Sequence, residues 1–385
     1  WQKFRGNEER GRELLDIAAK AAKQVIDSKT FSLFKPDALK EKAQKYMFIL
    51  EDAKSNPAGI QKSANKEYIF ARRYDESLAP IGKNITKTNL INMVWVSRKF
   101  ANMYLCQNGL PIYMNGVKNA QFQEYATLTS EWENRDNRMR YTLAKPGDYF
   151  WNNSNPGCRL TWNDASDQSN AAIKNFTPSS GTGYHNQKWA SERLVKDNFE
   201  GFDYPVIRYA EVLLNYAEAV YERDGKIEDT DLNLSLNLVR TRVNPNMPGL
   251  TNKLVNDNGL SMREEIRRER TVELFHEGFR LDDLKRWGIA HINLTGQKLG
   301  HRILGTAYET EKANDANYFG EPCYYPEKYP LLYGIYEGTG PNDPDYGRSI
   351  ATLAGNLNFS QRDYLQPIPR VQIRLNPQLK QNPGW

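Results

Sequence analysis

Cysteine is scarce. The 385-residue chain has three, Cys106, Cys158 and Cys323, far apart and without a CxxC pair, which leaves room for one disulfide but gives no structural metal site. Four scattered histidines give no His-based metal centre either. No apolar run approaches the roughly 18 residues that cross a bilayer as a helix. Blocks of positive charge are missing too: the net charge of +5 is small for this size and no five or six basic residues run together, so nucleic acid is not an expected partner. HExxH, the glycine-lysine phosphate loop, GxSxG and GxGxxG are all absent, so neither a catalytic signature nor a cofactor cradle is read from the chain. The chain begins at Trp1 without Met, already charged and helical in pattern; upstream residues are expected to have been removed or left out, and the lack of a targeting segment decides nothing.

What is present points to a globular, mainly helical protein. Hydrophobic residues make up 39% and charged residues 26%, close to the globular average. Aromatics reach 12%, with 22 Tyr and 8 Trp, which suits either a large core or an exposed recognition surface. The stretch Asp203–Gly225 reads as one helix, with Pro205 at its start and Gly225 at its stop. Arg208, Glu211, Asn215, Glu218 and Glu222 fall on one narrow stripe, and nearly everything else is apolar. Such a helix has to bury most of its circumference between neighbours, as in a stack of helical hairpins.

Along the chain, Glu8–Ser28 has an apolar helical face, and the run 31–54 continues through Pro36–Asp37 into a second amphipathic helix that completes a hairpin. Residues 67–74 are β-branched and aromatic and read as an edge strand. A helix is expected from about Asp231 to Arg242, and Ser261 with Glu264 forms a capping box opening another that runs towards Gly278. The dense Arg and Glu residues there read as exposed ion pairs of about 0.3–0.5 kcal/mol each. Residues 1–79 and 203–288 are therefore read as a helical scaffold, 80–202 and 289–363 as a loop-rich binding region. Residues 364–385, with Pro367, Pro369, Pro377 and Pro383, are read as an extended tail over the body.

The loop region supplies the candidate site. Sugar rings present axial C–H patches that stack on aromatic faces, while Asn, Asp and Arg meet hydroxyls. Trp151, Trp162, Tyr149 and Phe150 combine with Asn153, Arg159 and Asp164 in that way, and these seven are the expected ligand contacts. No catalytic residue is assigned. Asp282–Asp283 and the EWENRD run at 131–136 are the best local carboxylate candidates, and they read first as helix-end or turn ion pairs. His276 reads as a partner of a helix C-terminus.

Three segments together resemble the SusD/RagB family of Bacteroidetes nutrient-binding lipoproteins: DYPVIRYAEVLLNYAEA, REEIRRERTVELFHEGFRLDDLKRWG and the closing YLQPIPRVQIRLNPQLKQNPGW, in the family's order. Weaker echoes lie at 18–34 and 131–143. The resemblance implies a SusD-like fold of tetratricopeptide-type hairpins with a loop-rich ligand-binding region. It implies a non-catalytic, surface-exposed outer-membrane lipoprotein, anchored through an upstream lipidated cysteine. Such a protein captures oligosaccharide or polysaccharide and serves as a lid on a SusC-like TonB-dependent transporter. A peptide ligand is the alternative within the family, and a glycan-processing enzyme the alternative outside it.

Overall fold

The structure, a computed structural model, describes residues 6–87, 96–127, 129–145, 182–192, 196, 198–310 and 333–385, with the backbone of 148–150 and 158–160. Its centre is the helix Tyr209–Asp224, which buries Ala210, Leu213, Leu214 and Ala217 completely. Small Ala side chains let neighbouring helices approach closely. The helix Glu8–Ser28 packs along one side and Met262–Glu273 along another, with Leu236–Thr241 beneath. Gly225 ends the central helix in the left-handed conformation (φ 71°), donating its N–H to the Tyr221 carbonyl at 2.8 Å.

Glu8–Ser28 has the bounds its pattern predicts. The Asn7 side chain accepts from the Arg10 N–H at 3.0 Å, and Glu8 and Glu9 occupy the first turn, where the helix dipole favours negative charge. Leu232, Leu236 and Val239 are fully buried, as their spacing implies. The segment carrying them breaks at Ser235 into two short helices, Asp229–Asn233 and Leu236–Thr241.

Three local expectations are corrected. Pro205 does not open the central helix. Residues Tyr204–Arg208 form a strand antiparallel to Tyr68–Arg72, with Tyr68 opposite Arg208 and Ala71 opposite Pro205. Val206 and Ile207 favour that pleated geometry, and the helix starts only at Tyr209, whose N–H reaches the Glu67 carbonyl at 2.8 Å. The second N-terminal helix is a single buried segment, Ala43–Phe48, with Ala43, Tyr46, Met47, Phe48, Ile49 and Leu50 all inside; a segment buried all round has no amphipathic stripe. The tail contains a helix, Arg370–Leu375, for which Pro369 is the entry residue rather than a breaker.

The loop-rich half is tied down by a second core. Trp132, Met139, Leu143, Tyr184, Ile303 and Tyr308 pack there against Val272 of the scaffold. A three-stranded antiparallel sheet flanks it, with Arg348–Thr352 between Lys298–Arg302 and Ile335–Tyr336. Two glycines permit the contact between sheet and loop. A Cβ on Gly183 (φ 80°) would lie 2.3 Å from His301 Cδ2, and one on Gly300 would lie 2.2 Å from the Thr182 carbonyl oxygen. Trp132, Tyr141, Tyr184 and Trp189, all within 80–202, are core residues no more than 7% exposed.

Candidate ligand-binding site

The scaffold meets the loop region through a buried lattice of charges. Arg208, delivered by its strand to the foot of the central helix, donates to Glu277 at 2.6 Å and to Glu67 and Glu273 at 2.7 Å each. Arg242 spans the same two glutamates, at 2.9 Å to Glu67 and 2.6 Å to Glu273. Arg138 links Glu273 (3.1 Å) to Asp136 (2.7 Å), and Lys188 reaches Glu277 at 2.6 Å. Arg138, Arg208, Glu67 and Glu273 are each at most 1% exposed. Burial alone would raise the Glu273 pKa, but Arg242, Arg208 and Arg138 outweigh it and hold the carboxyl far below the usual range. Glu269 goes the other way: burial wins over Arg138 and raises it. Burial and the nearby Arg208 charge depress Lys188 to about 8, against the pull of Glu277. The charge-rich helix expected to carry exposed pairs thus carries its central ones inside. Fixed, mutually satisfied charges of this kind orient elements against one another.

A second buried group supports the sheet. Arg98 pairs with Glu131, whose carboxylate also accepts from the Tyr184 hydroxyl at 2.8 Å. His301 stacks on the Tyr184 ring, centroids 3.8 Å apart, and burial drives its pKa down to about 3, so it is neutral. The local carboxylate candidates are occupied in the same manner. Asp283 accepts from Arg270 at 2.9 Å and Arg286 at 2.8 Å, and Asp136 caps the helix Asn137–Thr142. His276 sits past the end of Met262–Glu273 in a left-handed conformation (φ 58°). Although much of its surface is open, desolvation and the Lys188 charge lower its pKa to about 4, so at neutral pH it carries no charge for a helix terminus.

Between these two charge clusters opens a cleft of about 600 Å³. Its floor comes from the turn after Met262–Glu273, its walls from the short helix Arg98–Ala101 and from the ends of Lys298–Arg302 and Arg348–Thr352. Phe100 and Phe275 stack with ring centroids 4.3 Å apart, and Phe279 lies beside them. Ser97, Thr182 and Asn293 add hydrogen-bonding groups, and Lys99, Arg280 and Lys298 line the same space. An open cleft with aromatic walls and a few polar groups is the usual form of a small-ligand site.

Of the seven residues expected from sequence, Trp151, Trp162, Asn153 and Asp164 lie outside the described residues. Tyr149, Phe150 and Arg159 are described in backbone only. They belong to a two-stranded hairpin, Asp148–Phe150 with Cys158–Leu160, in which Tyr149 is opposite Arg159 and Phe150 opposite Cys158. Cys106 is a free, buried thiol. The cleft residues escape sequence reading because Lys99, Phe275 and Lys298 come from three separate segments. The lattice left one signal: Glu265, Glu269, Glu273 and Glu277 recur every four residues, a carboxylate stripe that is buried in all four positions.

Residues 59–385 match the SusD family, and the chain belongs to it. Among solved structures it is similar to a SusD-like carbohydrate binding protein from Bacteroides fragilis, with 23% identity and a TM-score of 0.62 over 94% of this chain and 60% of that one. A further SusD-like protein from the same organism gives 21% identity and a TM-score of 0.58 over 97% and 63%. The chain thus spans about 60–63% of the length of these two relatives. The fold they share is the mainly helical SusD-like one. None of the curated proteins matches. No helix among the described residues is long and apolar enough to cross a membrane.

Proposed function

We propose that this chain binds oligosaccharide or polysaccharide at the cell surface without transforming it. It then passes the glycan to a SusC-like TonB-dependent transporter in the outer membrane, where a lipid anchor holds it. Membership of the SusD family across residues 59–385 carries the reading. The aromatic cleft beside the loop region supports it, as does the occupation of Asp283, Glu131 and Asp136 by structural ion pairs rather than by an open acid–base pair. Trp151, Trp162, Tyr149 and Phe150 are the proposed stacking residues, and Asn153, Arg159 and Asp164 the proposed hydroxyl partners. Affinity electrophoresis against a polysaccharide panel should show retardation on at least one glycan and no release of reducing sugar. Joint replacement of Trp151 and Trp162 by Ala should abolish the retardation; binding that survives it moves the site away from those loops. Co-purification of a β-barrel transporter with the chain tests the partnership.

A further inference from the structure

We propose that the cleft beside Phe100 and Phe275 selects an anionic glycan, one bearing carboxylate or sulfate groups, over a neutral one; this rests on the glycan-binding reading above. Lysine and arginine are common on surfaces, so their presence alone would mean little. What distinguishes this cleft is the lack of compensation. The Lys99 and Lys298 side chains have no ion pair or hydrogen bond among the described residues, and Asp283, the acidic residue in the lining, is already shared by Arg270 and Arg286. Arg280 feels the Asp283 and Glu264 charges but pairs with neither, donating instead to the Thr271 hydroxyl at 2.7 Å. In the buried lattice the arrangement is the opposite: Arg138, Arg208 and Arg242 each meet at least two carboxylates.

The two cations feel one another. Desolvation at the cleft wall, and then the charge of Arg280, lower the pKa of Lys99. An anion placed between them would relieve that repulsion and would draw on guanidinium and ammonium donors in a partly desolvated setting, where charge-assisted hydrogen bonds are strongest. The rings then set the geometry. A pyranose packed against the half-buried Phe100–Phe275 stack offers it a C–H face, while a carboxylate or sulfate projecting from the ring edge reaches the basic wall. An acidic peptide would meet the same charges, but the stacked rings beside them favour a flat, ring-bearing ligand.

Calorimetry decides the matter with tetragalacturonate, its methyl-esterified neutral counterpart, a chondroitin sulfate tetrasaccharide and oligoglutamate as probes. Tighter binding of either acidic sugar than of the neutral ester, weakened by salt, is expected. The Lys99→Gln and Lys298→Gln variants, both at exposed positions, should each lose about tenfold affinity for the acidic sugar, the scale of one charge-assisted hydrogen bond. Unchanged thermal unfolding confirms that they remain folded. The carboxylate and sulfate arms identify which anion is preferred. Equal binding of the ester and the acid, or no loss in either variant, overturns the charge preference while leaving glycan binding intact. Binding of oligoglutamate alone overturns both.

Discussion

The buried lattice and the open cleft draw on the same stretch of chain and treat charge in opposite ways. Glu269, Glu273 and Glu277 are buried where Arg138, Arg208, Arg242 and Lys188 meet them. A few residues further on, Arg280 faces the cleft with a hydroxyl for a partner. Within the lattice, an ion left without its partner is costly, so these charges come in sets. At the cleft, water screens the cations until something displaces it. Density of Arg and Glu in a sequence therefore does not say whether the charges hold a scaffold together or await a ligand; their partners do.

The sharpest way to break this contrast is to remove one member of the lattice. Glu273→Ala takes one carboxylate from each of Arg138, Arg208 and Arg242, leaving the buried lattice one negative charge short, and urea unfolding should show a loss of about 3–5 kcal/mol, the cost typical of a broken buried pair. Gly183→Ala tests the junction beside the cleft. The substitution forces a Cβ against His301 at a positive φ, and should lose about 1–3 kcal/mol in the same assay.

Acid separates the regions more gently. His301 is held neutral, with its pKa lowered from 6.5 to about 3, so the unfolded chain binds a proton that the folded one refuses. Stability should fall as pH drops through that window, by at most about 1.4 kcal/mol per pH unit for each such proton. Glu131, Glu273 and Glu277, all depressed by their Arg or Lys partners against the effect of burial, extend the loss below the ordinary glutamate range. In His301→Gln the slope above the glutamate range should flatten, leaving the share due to His276. Chemical unfolding across pH reads both. At the bottom of the scale lies a surface pair, Lys253 with Asp257, whose side chains are 82% and 55% exposed. Lys253→Ala should change stability by less than about 0.5 kcal/mol.

Helical periodicity was legible where a helix has one clear apolar face: Glu8–Ser28 and the buried side of Leu236–Thr241 follow from spacing alone. It misled at Arg208. That residue sits at helical spacing from Glu211, yet belongs to a strand, because pairing with Tyr68 offered its neighbours more than another helical turn. In the tail the prolines misled instead: Pro369, read as forbidding regular structure, is the entry residue of Arg370–Leu375. The cleft was illegible for a plainer reason. Lys99, Arg280 and Lys298 are far apart in the chain, and no local pattern announces that three segments will converge. The aromatic loop at 149–164 remains a reading of composition, now joined by the hairpin that sets Tyr149 opposite Arg159.

The tail does not drape over the body; it is buckled. Gln381 donates to the Ile368 carbonyl at 2.9 Å and accepts from the Ile368 N–H at 2.8 Å, doing with one amide what a neighbouring strand would do. The Trp385 indole N–H lies 3.0 Å from the carbonyls of Arg362 and Leu365, under the Arg362 guanidinium. The PIP and QNPGW motifs are therefore the two halves of a single fastener, and damage to either half should open the same loop.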